Sequence, residues 1–190
     1  MHDQNCIIFN WNVRGLNNVA RRKVVRDYVQ DSGSTIVCLQ ETKLSHIDQT
    51  IVQETLGPQY VHNFAFLPAD GTRGGVLVAT HADHYRIIEA HTSGHSVTVL
   101  VEATASPIEW SLTGVYGPQD DNEKLEFLQE IKQLLPIVNS KWLVIGDFNM
   151  ILHDQDKSTA HLNRRIMGAF RKAVNDLNMK ELQLQGRKYT

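Results

Sequence analysis

The sequence predicts an α/β protein, and three patterns predict it. The chain opens β-α-β-α, continues with five strand-like runs separated by turn signals, and returns to amphipathic helices with an apolar strand between them. At the start, NCIIFNWN (Asn5 to Asn12) is an apolar run of strand length. Val24, Val25, Tyr28 and Val29 then recur at helical spacing after Asn17 and Asn18, which can cap a helix from about Val19 to Asp31. STIVCLQ (Ser34 to Gln40) is β-branched and reads as a second buried strand. Ser45 and Asp48 resemble a capping box, opening a helix to about Leu56. In the middle, YVHNFAFL, GGVLVATH, YRIIEAH, SVTVLVEA and EWSLTGVYG are divided by turns such as ADGTRGG and HTSGHS, and are expected to pair as one antiparallel meander. From Asp121 a helix carries Leu125, Leu128, Ile131 and Leu135 on one face and ends near Pro136. KWLVIGDFNM follows as a strand, and Leu162, Ile166, Phe170, Ala173 and Leu177 mark a final helix before ELQLQGRKYT, which has the look of a hairpin.

The bulk properties narrow the class. With 190 residues and no Pro/Gly/Ser-rich linker, a single domain over residues 1–190 is expected. A hydrophobic fraction of 42% is too high for disorder, and no apolar run approaches the roughly 18 residues of a membrane span. The net charge of -2 does not advertise a polyanion, so any such site must be local. Cys6 and Cys38 lie in apolar runs, where free cysteine behaves as a small buried hydrophobe, and two cysteines make no disulfide framework. A reducing, intracellular setting without a signal peptide follows as the expectation.

Four strand ends carry polar groups that a buried strand excludes from its middle. FNWNVRG leaves Asn12 where a strand closes, CLQETK puts Glu41 directly after one, TGVYGP ends on Tyr116, and GDFN supplies Asp147 and Asn149. Each has a plainer reading: Asn12 bonding its own turn, Glu41 solvated, Tyr116 half-buried core, Asp147 and Asn149 stabilising a loop. Taken together they make coherent chemistry if the ends share one mouth. A carboxylate such as Glu41 suits a hard Mg²⁺ or Mn²⁺, an Asp and Asn two residues apart can orient a water, and a phenol can donate to developing charge.

In order and over almost the whole chain, WNVRGLN, LQETK, VYGP and GDFN resemble the endonuclease/exonuclease/phosphatase superfamily. WNVRGLN, GDFNMILHDQDK and LQGRKYT are most similar to the endonuclease of plant LINE-type retrotransposons. The resemblance implies a four-layer α/β sandwich of two packed mixed sheets with helices outside. It implies a metal-dependent hydrolase for DNA phosphodiester bonds, with DNA as partner, Mg²⁺ or Mn²⁺ as cofactor, and the nucleus as one intracellular setting. Glu41 is then the metal ligand with Asn12 beside it, Tyr116 contacts the scissile phosphate, Asp147 orients or deprotonates the attacking water, and Asn149 positions it. Gly74 and Gly75 match the family's central strand. Arg14 stands where apurinic endonucleases carry an acid, which suits the retrotransposon branch. The family's closing Ser-Asp-His strand has no counterpart before Thr190, so an incomplete C-terminus is expected.

For the substrate, Arg14, Arg21, Arg22, Lys23 and Arg26 gather beside the site, with Arg14, Arg22 and Lys23 the phosphate candidates; a solvated helix face explains the same cluster. Arg164, Arg165, Arg171 and Lys172 form a second cluster with the same two readings. The nine histidines supply no evident catalytic group: His153 and His161 fall in a loop, and the His81/His84 and His91/His95 pairs lack a third ligand. Two rivals stay open: a phosphatase of the same superfamily for a small phosphoester, and an inactive fragment or binding module.

Overall fold

Every apolar run becomes a strand and each 3.6-period stretch a helix, but the pairing of the central strands departs from the expected meander. The computed structural model of the chain describes residues 6–71, 73–139, 141–156 and 163–182. Its backbone packs as two compact units, Met1–Tyr116 with Val138–Asp147, and Gly117–Ile137 with Phe148–Thr190.

The first unit contains β1 (Ile8–Asn12), α1 (Val19–Ser32), β2 (Ile36–Gln40), α2 (Gln49–Thr55), β3 (Phe64–Leu67), β4 (Val76–Thr80), β5 (Tyr85–Thr92), β6 (Ser96–Ala103), β7 (Glu109–Tyr116) and β8 (Trp142–Asp147). Two mixed sheets result, in the orders β1-β2-β4-β3 and β5-β6-β7-β8. Instead of one meander, the chain changes sheets between β4 and β5, at a turn where Tyr85 N–H donates to the His81 carbonyl (3.0 Å). The reason lies in β4, whose five residues are all buried. Leu77 and Ala79 face one apolar cluster and Val76 and Val78 another, so the strand must sit inside its sheet, between β2 and β3.

Asn18 caps α1, its side chain accepting from Ala20 N–H, and Gly33 ends the helix in the left-handed conformation at φ 61°. The helix buries Val25 and Val29 on the outer face of the first sheet, each contributing about 1.5–3 kcal/mol. At α2 the cap is Asp48, which accepts from Ile51 N–H, so the helix starts after the fourth residue of the Ser45–Asp48 box rather than after its first.

The inner faces of the sheets meet through Ile36, Cys38, Val76 and Val78 on one side and Val97, Val99, Val101 and Leu112 on the other. Gly114 in β7 makes the close approach possible: a Cβ there would stand 2.6 Å from Cys38 Sγ and 3.0 Å from Val78 Cγ2. Burial pushes the Cys38 thiol up to about 12, so it stays neutral and apolar. Cys6 precedes β1 and is exposed, contrary to the buried position expected of it.

The β4–β5 turn also carries a titration. The His81 ring packs edge-on against Tyr60 (5.5 Å) and His84 (5.0 Å), and burial holds its pKa below the ordinary 6.5, with Asp83 opposing and His84 adding to the shift. A base depressed in the folded state binds fewer protons than in the unfolded chain, so its contribution is complete above pH 6.5 and is lost as the pH falls. Denaturation midpoints taken above and below pH 6.5 are expected to fall less in His81→Asn than in the wild type; equal falls would refute this.

The second unit holds α3 (Asp121–Gln133) and α4 (Arg164–Asp176). Asp120 caps α3, and Phe127, Leu128 and Ile131 are buried. Leu134, at the helix end, is buried where Leu135 was expected, and Leu135 is exposed because the chain has left the helix. Phe148 packs against Phe127 (6.3 Å) and Phe170 (5.2 Å), which accounts for the aromatic residue of GDFN. Part of the second basic cluster is engaged inside the unit, Arg171 donating to the Leu152 carbonyl and Lys172 pairing with Asp176 (3.1 Å). Leu162, His161 and most of the expected terminal hairpin lie outside the described residues. No described helix is long and apolar enough to cross a membrane.

Candidate active site

Parallel pairing brings the polar strand ends together. β1 and β2 run parallel with Asn12 opposite Gln40, so Asn12 and Glu41 leave the first sheet at the same end. β7 and β8 are parallel too, with Tyr116 opposite Asp147. Asn12 Nδ2 donates to Asp147 Oδ2 at 2.9 Å, linking the edge strand of one sheet to the edge strand of the other. Asn12 Oδ1 also accepts from Arg14 N–H (3.2 Å), so the plainer role of bonding its own turn is filled by the same side chain.

Tyr116 stands between the two carboxylates. Its phenol pKa is raised, first by burial, then by the charges of Glu41 and Asp147 and a hydrogen bond with Glu41. The hydroxyl therefore keeps its proton and is a donor at any ordinary pH. Its backbone is anchored by Tyr116 N–H donating to the His95 carbonyl (3.0 Å).

Glu41 owes its direction to an unusual backbone. Arg14, Glu41 and Lys43 all have left-handed φ, at 52°, 55° and 57°, a conformation that costs a non-glycine residue about 1–2 kcal/mol. Such strain at strand ends re-aims side chains where function needs them. Glu41 and Lys43 emerge on one side and pair at 3.1 Å, while Thr42 between them is buried. Gly74 and Gly75 support the turn by accepting from Lys43 and Thr42 N–H (3.1 Å each), and Gly75 must lack a Cβ because Thr42 Oγ1 occupies its place. Below the mouth, Gln40 Nε2 donates to Asn10 Oδ1 (2.7 Å) and the Cys38 carbonyl (3.2 Å), holding the end of β2.

Asn12, Glu41, Tyr116 and Asp147 are thus assembled in the first unit. Asn149 belongs to the second unit, where its side-chain N–H donates to the Gly117 carbonyl at 2.6 Å. Of the phosphate candidates, Arg14 is exposed at a groove beside Asn12. Arg22 turns away, pairing with Glu54 (2.8 Å) and donating to the Leu16 carbonyl (2.7 Å), and Lys23 is exposed on α1 outside the groove lining. Arg21 takes the groove position that Arg22 and Lys23 do not. Lys43 is not among the expected site residues; it meets Glu41 because both lie in the left-handed turn that follows β2, a geometry that sequence spacing does not announce.

Among the described residues, no group of three or more His, Cys, Asp or Glu side chains is arranged to hold a metal ion. The donors present are hard oxygens: the carboxylates of Glu41 and Asp147 and the amide of Asn12. Mg²⁺ usually takes one or two protein carboxylates and completes its shell with water and substrate phosphate, so this sparse set fits it. The Lys43 ammonium on Glu41 marks that carboxylate as a seat for positive charge.

The model of the Endonuclease/Exonuclease/phosphatase family matches residues 9–183. Among solved structures, the chain is similar to an endonuclease/exonuclease/phosphatase family protein from Bacteroides thetaiotaomicron, at 14% identity and TM-score 0.60 over 84% of this chain and 66% of that one. It is also similar to a mannosyl-6-phosphatase from Bacteroides thetaiotaomicron VPI-5482, at 15% and 0.59 over 87% and 69%. A third is D. rerio TDP2 complexed with a single-strand DNA product, at 21% and 0.53 over 76% and 60%. The chain spans 60% to 69% of the length of these three structures. The likeness bears out the α/β sandwich of two mixed four-stranded sheets.

Proposed function

This chain belongs to the endonuclease/exonuclease/phosphatase family, and we propose that it is a metal-dependent phosphodiesterase acting on DNA, of the retrotransposon-endonuclease type. One observation carries the reading: the Asn12–Asp147 hydrogen bond of 2.9 Å beside a Tyr116 phenol flanked by Glu41 and Asp147. The wording WNVRGLN, with Arg14 after the first motif, supports the retrotransposon branch.

Glu41, with Asn12 beside it, holds the Mg²⁺ or Mn²⁺, which when bound polarises a phosphate oxygen. Asp147 orients a water and accepts its proton as the water oxygen attacks phosphorus in line with the departing ester oxygen, which leaves on the opposite face and takes up a proton. The amide of Asn12 fixes the carboxylate of Asp147 in the orientation that this requires. Tyr116, protonated because its surroundings are anionic and partly dry, donates to the phosphate oxygen that gains charge in the transition state. The part of Asn149 in positioning the water rests on the GDFN motif alone.

The test is nicking of supercoiled plasmid with Mg²⁺. Wild-type protein is expected to nick and to stop on addition of a chelator, and Asp147→Asn is expected to slow turnover by about 10²–10⁴-fold. Nicking that persists in chelator, or an Asp147→Asn protein as fast as the wild type, would refute the assignment.

A further inference from the structure

The groove beside the strand ends has a composition that the phosphodiester chemistry does not use. It occupies about 810 Å³ between the end of β1 and the first turns of α1. Three cations line it, Arg14, Arg21 and Lys43, and no carboxylate does, in a chain whose net charge is -2. Local positive charge within an acidic molecule is a field aimed at an anion. Arg21 is held in place, its guanidinium donating to the Arg14 carbonyl at 2.9 Å, and α1 presents its N-terminus to the same space at Asn18.

The rest of the wall combines the amides Asn12, Asn17 and Asn18 with apolar side chains. Trp11, partly buried, and Val24, 48% exposed, line the groove together with the cations. Trp11 is itself buttressed by edge-on contacts to Phe9 (6.1 Å) and Tyr28 (5.5 Å), which leave it a rigid surface at an edge strand. An inorganic or sugar phosphate would use the cations and the amides and leave Trp11 and Val24 without a partner. A ligand with a phosphate at one end and a flat apolar face at the other uses both.

We propose that this groove is a subsite for an unpaired nucleotide of a nucleic-acid strand, its base lying on Trp11 and Val24 and its phosphate held by Arg14, Arg21 and Lys43. Base-on-aromatic contact needs a base released from its partner, so the groove selects single-stranded or frayed segments adjoining the bond to be cut. The volume falls within the roughly 300–1,000 Å³ of small-ligand pockets, which suits a nucleotide unit and not a duplex. The inference rests on the phosphodiesterase reading only for what happens at the neighbouring bond; the binding itself needs no hydrolysis.

Fluorescence anisotropy of a labelled oligothymidylate, measured in chelator, tests the subsite apart from catalysis. Arg21→Ala is expected to weaken binding and to lower the slope of log affinity against log salt by about one. Trp11→Leu is expected to lose roughly tenfold or more in affinity, as for removal of a base-stacking side chain, while Trp11→Phe retains most of it. Of the three tryptophans, Trp11 alone lines the groove, so quenching of intrinsic fluorescence by the oligonucleotide is expected in the wild type and abolished in Trp11→Phe. That readout holds even if Trp11→Leu folds poorly. Unchanged affinity and salt slope in Arg21→Ala, quenching retained in Trp11→Phe, equal affinity for blunt duplex, or equally effective competition by mannose 6-phosphate would each overturn the proposal. Loss of plasmid nicking with oligonucleotide binding intact would count against the hydrolase reading and leave the subsite standing.

Discussion

Glu41→Gln is expected to abolish metal-dependent nicking while leaving the fold intact. The carboxylate is the one side chain at the mouth that combines a full negative charge with a backbone bent to present it, at φ 55°. An amide of the same shape keeps the position and removes the charge, so affinity for Mg²⁺ or Mn²⁺ is expected to fall at least 10–100-fold, the loss seen even for weaker perturbations of metal sites. Turnover follows, by about 10²-fold or more, because charge developing on phosphate is no longer compensated. Stability should barely change: the Glu41–Lys43 pair is partly solvated and such pairs contribute at most about 1 kcal/mol. Calorimetric titration with Mn²⁺, plasmid nicking and a thermal melt on one preparation separate these effects. A variant that nicks and binds metal like the wild type would remove Glu41 from the site.

Gly146→Ala is expected to be the most damaging small substitution near the site. Gly146 has φ 132°, a region closed to side chains, and a Cβ there would run into the backbone of Val115, with the carbonyl oxygen closest and the nitrogen at 2.9 Å. Neither obstacle is a flexible side chain, so β8 must move away from β7 in the register that sets Tyr116 opposite Asp147. Strain and overpacking together are expected to cost roughly 3–5 kcal/mol. At about 2–4 °C per kcal/mol the melting temperature would fall by roughly 10 °C. Gly33→Ala is the reference, at φ 61° in the left-handed region that other residues can adopt and with nothing within 4 Å of the added Cβ; a cost near 1 kcal/mol is expected there. Urea denaturation of the two variants reads the difference, and equal losses would show that neither the φ of 132° nor the contact with Val115 demands glycine.

Much of this molecule was legible from local patterns. The uninterrupted apolar runs of β2 and β4 correspond to strands buried at every residue, and the end of the α1 pattern agrees with its left-handed Gly33 cap. The misreadings share a cause. Alternation says that a stretch is a strand but not which sheet it joins, so it predicts one meander for β4 and β5 although a single turn sends them to different sheets. Likewise Arg21 and Arg22 are adjacent in sequence, and helical geometry turns their side chains about 100° apart. Glu54, 32 residues away, holds Arg22, which leaves Arg21 to line the groove.

By itself the sequence determined the kind of each element and the placement of Asn12, Glu41, Tyr116 and Asp147 at strand ends, because the exclusion of polar groups from buried strands is written residue by residue. The meeting of those ends was decided only in three dimensions. Parallel pairing of β1 with β2 and of β7 with β8 sets the direction, and Gly114 lets the sheets close on Cys38. The hydrogen bond that joins Asn12 to Asp147 spans 135 residues of chain. Periodicity reaches only a few residues, whereas a site built across two sheets depends on which distant strands find each other, and that choice is made by the packing of the whole core.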